Sequence, residues 1–134
     1  MLPLGPSGYK RGVPFRRMLA SLVDRVRGSR GAIVCDYEGE FVGLVIRDQG
    51  LTEYDLRVVG AQVAAAWLNL HNGLRGGGAG GAVELKILCP QGTLLCRALR
   101  DGYYLVLLLE SGSPSGVASF ELQRTAMEIS PELG

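Results

Sequence analysis

One stretch of the chain, Glu53 to Leu74, is apolar on two opposite sides when it is drawn as a helix. The broader face has apolar residues every three or four positions, which predicts contact with a core, and it contains Leu56, Val59, Val63, Ala66, Trp67, Leu70 and Leu74. A narrower stripe lies nearly opposite, and it contains Val58, Ala61, Ala65 and Leu68, with Asn72 at its end. A surface helix of a small monomer needs only one apolar face. The narrow stripe therefore predicts a cover, either a second layer of the same domain or, as we favour, a second copy of the chain.

The composition is that of one ordinary globular domain. The chain has 134 residues, of which 47% are hydrophobic and 20% are charged, and its formal net charge is +1, so we expect no binding to nucleic acid. The three cysteines, Cys35, Cys89 and Cys96, form no C-x-x-C pair, which favours free thiols in a reducing cytoplasm. The first residues lack the apolar core of a signal peptide. No apolar run is long enough to span a bilayer, so we expect no membrane insertion.

Periodicity and turn residues predict the order helix, two strands, helix, three strands, helix. Residues 1–12 carry Gly and Pro without periodicity and predict a flexible arm. Residues 13–134 predict one domain, whose first helix starts at Pro14 because proline suits the first turn. The segment Tyr103 to Leu109 is apolar on both faces, which predicts a central strand that is covered on two sides.

Two local signals flank the long helix. Before it, Thr52 with Asp55 resembles a capping box, although Asp replaces the usual Glu or Gln. After it, the segment from Arg75 to Gly81 is rich in glycine. A phosphate-binding loop would lie between a strand and a helix and would end in Gly-Lys-Ser/Thr. This segment instead leads from a helix to a strand and lacks that ending, so we interpret it as a flexible connector.

No residue pattern indicates catalysis, a metal site or a cofactor. His71 is the one histidine, and no cysteine or carboxylate lies near it at ligand spacing. No serine occupies a Gly-x-Ser-x-Gly elbow. Asp36 falls beside a turn, where we expect a structural role. We therefore predict a protein that has no active site of its own and binds no cofactor or metal.

Three stretches of the chain together resemble the Roadblock/dynein light chain family. They are Gly31 to Asp36 with Gly39 in the following turn, the alanine-rich segment Val59 to Leu70, and Tyr103 to Leu109 followed by Ser115-Gly116-Val117. The resemblance extends from Phe15 to Leu133. It depends on the order of all the elements more than on any single motif.

The resemblance implies an α+β fold with five antiparallel strands in the order 2-1-5-4-3. The long helix would lie on one face of this sheet, and the first and last helices on the other. It also implies a homodimer, or a dimer with a paralogue, that forms through the long helices and the third strands. The implied interface combines the narrow stripe with the third-strand residues Val83, Leu85 and Ile87.

Within the family, the chain is most similar to bacterial members of MglB/MglC type, which act beside a Ras-like GTPase in gliding motility and cell polarity. The resemblance implies a dimeric adaptor or regulator that binds such a GTPase or its regulatory paralogue. A GTPase-activating protein is the alternative, and the arginines to test are Arg16, Arg17, Arg57 and Arg75. A small-ligand sensor is a third interpretation, and the lack of a polar anchor within the apolar pattern counts against it.

Overall fold

The helices and strands follow one another in the order that the sequence predicts. The computed structural model describes the backbone of residues 4–133 and the side chains of residues 15–133. The elements, numbered along the chain, are α1 (Leu4–Arg25), β1 (Ser29–Cys35), β2 (Phe41–Ile46), α2 (Glu53–Gly76), β3 (Glu84–Cys89), β4 (Gly92–Ala98), β5 (Tyr104–Leu109) and α3 (Gly116–Ile129). Short 3₁₀ turns occupy Arg100–Gly102 and Ser130–Glu132.

The strands form one antiparallel sheet in the order β2-β1-β5-β4-β3. β5 lies at its centre and is buried along its whole length, as its uninterrupted apolar sequence predicts. Successive side chains point to opposite faces, so Val34 and Leu105 pack with α1 and α3, whereas Ile33 and Val106 pack with α2. The predicted α+β fold, with one long helix on one face and two helices on the other, is confirmed.

α1 begins at Leu4, earlier than the predicted start at Pro14. Pro6 falls in the first turn, where backbone N–H groups have no partner within the helix, so proline is tolerated there. Pro14 lies in the helix interior and removes a backbone hydrogen bond. Residues 4–12 belong to α1, so the predicted start of the first helix is wrong. The flexibility predicted for residues 1–12 stays a prediction. Residues 1–3 lie outside the described residues.

α2 begins with the capping box that Thr52 and Asp55 predict. Thr52 Oγ1 accepts a hydrogen bond from the backbone N–H of Asp55 at 3.0 Å. The Asp55 carboxylate accepts one from the backbone N–H of Thr52 at 3.2 Å. Neither N–H group has a carbonyl partner within the helix. Asp in place of the usual Glu or Gln therefore completes the box, and its charge also lies near the positive end of the helix dipole.

We expect Thr52→Ala to lower the free energy of unfolding by about 1 kcal/mol, because it removes the acceptor for the Asp55 N–H. Thr52→Ser is the matched control: it retains the hydroxyl, so its stability should stay within about 0.5 kcal/mol of the parent. Urea unfolding followed by circular dichroism measures both. Equal losses in the two variants would show that the methyl group of Thr52, not its hydroxyl, carries the effect.

The face that α2 buries overlaps the one that the helix wheel predicts but is rotated away from it. Leu56, Val63 and Trp67 are buried as predicted, and Val59 and Leu74 are half-buried. Its buried residues are Leu56, Gly60, Val63, Ala64 and Trp67. Ala66 and Leu70, which the wheel assigned to the core face, are exposed. The reason is that α2 approaches β1 closely at Gly60, where an added Cβ atom would lie only 2.5 Å from Cys35 Sγ. The absence of a side chain at Gly60 lets the helix approach there, and this turns the buried face away from Ala66 and Leu70.

Candidate partner-binding surfaces

The apolar stripe that the sequence predicts on α2 is largely uncovered. We call it the outer stripe, and it consists of Val58, Ala61, Ala65, Leu68 and Asn72. Val58 is 40% exposed and Leu68 is 39% exposed, and Ala65 and Asn72 are exposed as well. Ala61 is half-buried because the β1–β2 turn passes over it, and a Cβ atom at Gly39 would lie 3.1 Å from the Ala61 Cβ. The described chain therefore leaves most of this stripe open to solvent.

Tyr54, which was not among the predicted stripe residues, extends the outer stripe by one position. Its side chain is 74% exposed. From Tyr54 to Asn72 the stripe residues follow one another at intervals of 4, 3, 4, 3 and 4 positions. This alternation is the spacing of helices that pack side by side along a seam. The signal was present in the sequence, as an aromatic residue four positions before Val58.

The side of α2 that contains Ala61 faces β2 and the β1–β2 turn. Arg57 lies on the same side, and its guanidinium carbon is 4.4 Å from the centre of the Phe41 ring, at the start of β2. This is the distance of a cation–π contact. β2 is the sheet edge farthest from β3. The opposite side of α2 therefore faces β4 and β3.

That opposite side of α2 is also apolar and adjoins a part of the sheet that no described helix covers. Val59 packs at the margin of the core, whereas Ala66 and Leu70 are exposed. Because α2 lies mainly over β1 and β2, it leaves the same face of β3 and of the first half of β4 partly open. Leu85, Ile87 and Leu94 are only half-buried there, although Cys96 farther along β4 is buried. We call this area the β3-side surface, and it consists of Val59, Ala66, Leu70, Leu85, Ile87 and Leu94.

β3 forms an open edge of the sheet. It pairs with β4 on one side only. Val83 and Leu88 are 61% and 73% exposed, and Leu85 and Ile87 are half-buried. Backbone N–H and C=O groups along such an edge, beside exposed apolar side chains, form a template for pairing with another strand. The predicted residues Val83, Leu85 and Ile87 thus lie at this edge, next to the β3-side surface.

The structure does not bring the four candidate arginines together. Arg16 and Arg17 are exposed on α1, across the sheet from α2. Arg57 and Arg75 lie on one side of α2, but the helix rise places them roughly 27 Å apart along its axis. Arg57 is positioned by the Phe41 ring, whereas Arg75 lies at the edge of a hollow near the end of α2. Each arginine therefore has to be tested separately.

The polar residues considered for chemistry take part in local structure. The Nδ1 atom of His71 accepts a hydrogen bond from the backbone N–H of Ala82 at 3.1 Å, which ties the glycine-rich connector to α2. The Asp36 carboxylate accepts hydrogen bonds from the backbone N–H groups of Glu38 and Glu40 at 2.9 and 3.0 Å, which closes the β1–β2 turn. Among the side chains described, those of residues 15–133, no group of His, Cys, Asp and Glu could hold a metal ion. None of the helices described is both long and apolar enough to cross a bilayer.

The three cysteines are free, and their environments differ. Cys35 and Cys96 are buried on the α2 side of the sheet, whereas Cys89 is exposed at the end of β3. Burial raises the pKa of the Cys96 thiol to about 12. Burial, together with the negative charge of Asp36, raises the pKa of the Cys35 thiol to about 12. Because the thiolate is the reactive form, Cys89 is the reactive thiol of the folded chain.

We expect a disulfide reagent at neutral pH to modify one thiol rapidly in the native protein and three after unfolding. Cys89→Ser should remove the rapid phase and leave the other two thiols protected. The absorbance of the released thiolate measures both phases. Rapid modification of a second thiol in native Cys89→Ser protein would show that α2 opens away from the sheet.

The fold matches known structures, although sequence similarity is low. A scan against protein-family models and a search of curated proteins find no match. Among solved structures, the Roadblock/LC7 domain from Streptomyces avermitilis is 18% identical to this chain, with a TM-score of 0.75. The match covers 87% of this chain and 94% of that one. The chain therefore has the Roadblock/LC7 fold, as its sequence predicts.

Two further solved structures with the same fold are an MglB and an MglC protein. The gliding protein MglB from Thermus thermophilus is 18% identical, with a TM-score of 0.77, and the match covers 94% of this chain and 93% of that one. MglC from Myxococcus xanthus is 25% identical, with a TM-score of 0.66, over 89% of this chain and 98% of that one. The predicted resemblance to Roadblock proteins of MglB/MglC type is confirmed.

Proposed function

We propose that this protein is a non-catalytic dimeric regulator that binds a Ras-like small GTPase or a regulatory paralogue. It would control the activity or the polar placement of that GTPase in the bacterial cytoplasm. The fold supports a regulator because MglC and the gliding protein MglB share it. The GTPase partner is inferred from the family resemblance. The single observation that carries the proposal is that α2 has uncovered apolar residues on both of its flanks, as protein-binding surfaces do.

We assign the second copy of the chain to the open edge at β3. Pairing of two β3 edges would satisfy their backbone groups and extend one sheet across both subunits. β3 has only six residues, and a stable interface buries about 800 Å² on each partner. The strand alone is too small, so the adjoining β3-side surface has to contribute. In this arrangement Ala66 and Leu70 would face the second subunit.

The outer stripe then remains open in the dimer, because it lies on the flank of α2 that faces β2. We assign it to the GTPase or the paralogue, with Arg57 as a charged contact at its margin. This differs from the sequence analysis, which placed the stripe in the dimer interface together with Val83, Leu85 and Ile87. The strand residues keep the role predicted for them. A dimer that forms through the outer stripe is the alternative, and a pair of neighbouring substitutions separates the two arrangements.

Two measurements test the proposal. The first is the rate of single-turnover GTP hydrolysis by the Ras-like GTPase of the same organism, with and without this protein. The second is co-elution of this protein with that GTPase. Co-elution with an unchanged rate supports the adaptor function. A faster rate supports the alternative of a GTPase-activating protein. Without co-elution or acceleration, direct GTPase binding is contradicted, and a Roadblock paralogue becomes the partner to test.

An arginine scan follows if the rate rises. Loss of an arginine that acts on the phosphates lowers the rate by about 10³-fold or more. Arg57→Ala is the first variant, because the Phe41 ring already positions that side chain. Arg27→Ala, which removes an exposed arginine outside the four candidates, is the control. If no variant reduces the acceleration, this chain would act by ordering the GTPase's own groups.

A further inference from the structure

A hollow of about 310 Å³ lies between the end of α2 and the β1–β2 and β4–β5 turns. Its size is at the lower end of the range for small-molecule sites. Its lining includes six aromatic or polar side chains, which are Tyr37, Trp67, His71, Asn72, Arg75 and Tyr104. These residues come from three separate parts of the chain. The fold therefore creates a site that no local sequence motif reveals.

Aromatic rings form the walls of this hollow. Trp67 and Tyr104 are 1% and 4% exposed, and their ring centres are 5.5 Å apart. Tyr37 also lines the hollow and is 52% exposed. Its ring lies against Gly102, where a Cβ atom would be 3.3 Å from Tyr37 Cδ1. Flat apolar walls of this kind favour a planar ring, because aromatic rings stack or meet edge to face.

Three polar side chains of the hollow lie on one turn of α2 and can donate hydrogen bonds. Arg75 provides a guanidinium group, and Asn72 provides an amide. His71 accepts from the Ala82 N–H through Nδ1, so its neutral ring carries its proton on Nε2. None of the described residues that line the hollow carries a carboxylate. The donors and the positive charge together favour an anionic group on the ligand.

We propose that this hollow binds a small planar molecule that carries a carboxylate, with its ring against the aromatic side chains and its carboxylate on Arg75. The site requires neither the dimer nor a GTPase. Its test is therefore independent of the proposed function. Leu68 and Asn72 of the outer stripe also line the hollow, so a bound molecule would lie beside the surface that we assign to the protein partner.

Trp67 is the one tryptophan of the chain, so its fluorescence reports on this hollow directly. The probes are benzoate, benzamide, which is planar but neutral, and acetate, which is anionic but lacks a ring. We expect benzoate to change the Trp67 emission in a saturable way at millimolar concentration and to raise the thermal midpoint of unfolding. Benzamide and acetate should bind at least tenfold more weakly, because each lacks one of the two recognised features.

Arg75→Gln is the decisive variant, and it should weaken benzoate binding at least tenfold. Arg75 is exposed in the last turn of α2, so this substitution should leave the fold intact. Arg17→Gln, which removes a distant exposed arginine, is the matched control and should bind benzoate as the parent does. The proposal is overturned if benzoate changes neither the emission nor the thermal midpoint. It is also overturned if benzamide binds equally well or if Arg75→Gln binds benzoate unchanged.

Discussion

Ala66→Arg is expected to convert the proposed dimer into a monomer. Ala66 is exposed on the flank of α2 that faces β4 and β3, where the second copy would cover it. An arginine there would place a charge inside an apolar contact, which costs about 3 kcal/mol or more when no partner charge is present. That energy corresponds to at least about a 100-fold weaker dimer. A two-fold interface would contain the substitution twice, so the observed effect should exceed this value.

Ala65→Arg is the matched control for this prediction. Ala65 is also an exposed alanine of α2, and it points about 100° away from Ala66 around the helix. In the proposed arrangement, Ala65→Arg leaves the dimer intact and abolishes co-elution with the GTPase or the paralogue. Sedimentation velocity over a range of protein concentrations measures the dimer, and circular dichroism checks that both variants are folded. A monomeric Ala65→Arg beside a dimeric Ala66→Arg would place the outer stripe in the dimer interface and refute our assignment.

Gly60→Leu is expected to lower the free energy of unfolding by about 3 kcal/mol, at the upper end of the usual cost of overpacking. A Cβ atom at this position would lie 2.5 Å from Cys35 Sγ and 3.3 Å from Ile33 Cδ1. Both of these side chains are fully buried. Leucine has a higher helix propensity than glycine, by about 0.8 kcal/mol. This gain is smaller than the expected cost, because α2 would have to move away from β1 along its closest contact.

Gly73→Leu separates the packing effect from helix propensity. Gly73 belongs to the same helix, and a Cβ atom there would meet no other atom within 4 Å. We therefore expect Gly73→Leu to raise the free energy of unfolding by about 0.5 to 1 kcal/mol. Denaturant unfolding at one fixed protein concentration measures both variants, because a dimer makes stability depend on concentration. If Gly60→Leu were as stable as Gly73→Leu, the close approach of α2 to β1 would be disproved.

Cys35→Ala tests which atom opposes the new side chain at position 60. The Cys35 Sγ atom is the nearest atom to the Cβ position at Gly60. Removing it should make the added cost of Gly60→Ala smaller in a Cys35→Ala background than in the parent. Residues in direct contact commonly show coupling energies of about 0.5 to 3 kcal/mol. Purely additive effects would instead indicate that the Ile33 side chain, whose Cδ1 would lie 3.3 Å from the new Cβ atom, limits the approach.

Local sequence patterns determined the secondary structure well. The hydroxyl of Thr52 and the carboxylate of Asp55 predicted the start of α2, because a capping box needs only residues that are close in the chain. The uninterrupted apolar segment at β5 predicted a central strand, because both of its faces must leave water. The start of α1 was predicted incorrectly, since Gly and Pro disfavour a helix without excluding one. The strand order came from the family resemblance, not from the local patterns.

The positions of the residues along α2 specify which side chains point in the same direction, because the helix period depends only on the backbone. What lies in each direction depends on how the helix packs against the sheet. Ala66 and Leu70 share a side with the predicted core face, yet they remain exposed because α2 approaches β1 at Gly60. Tyr37 and Trp67 meet at one hollow because two turns of the sheet reach the end of the helix. Such contacts join residues far apart in the chain, and no local pattern encodes them.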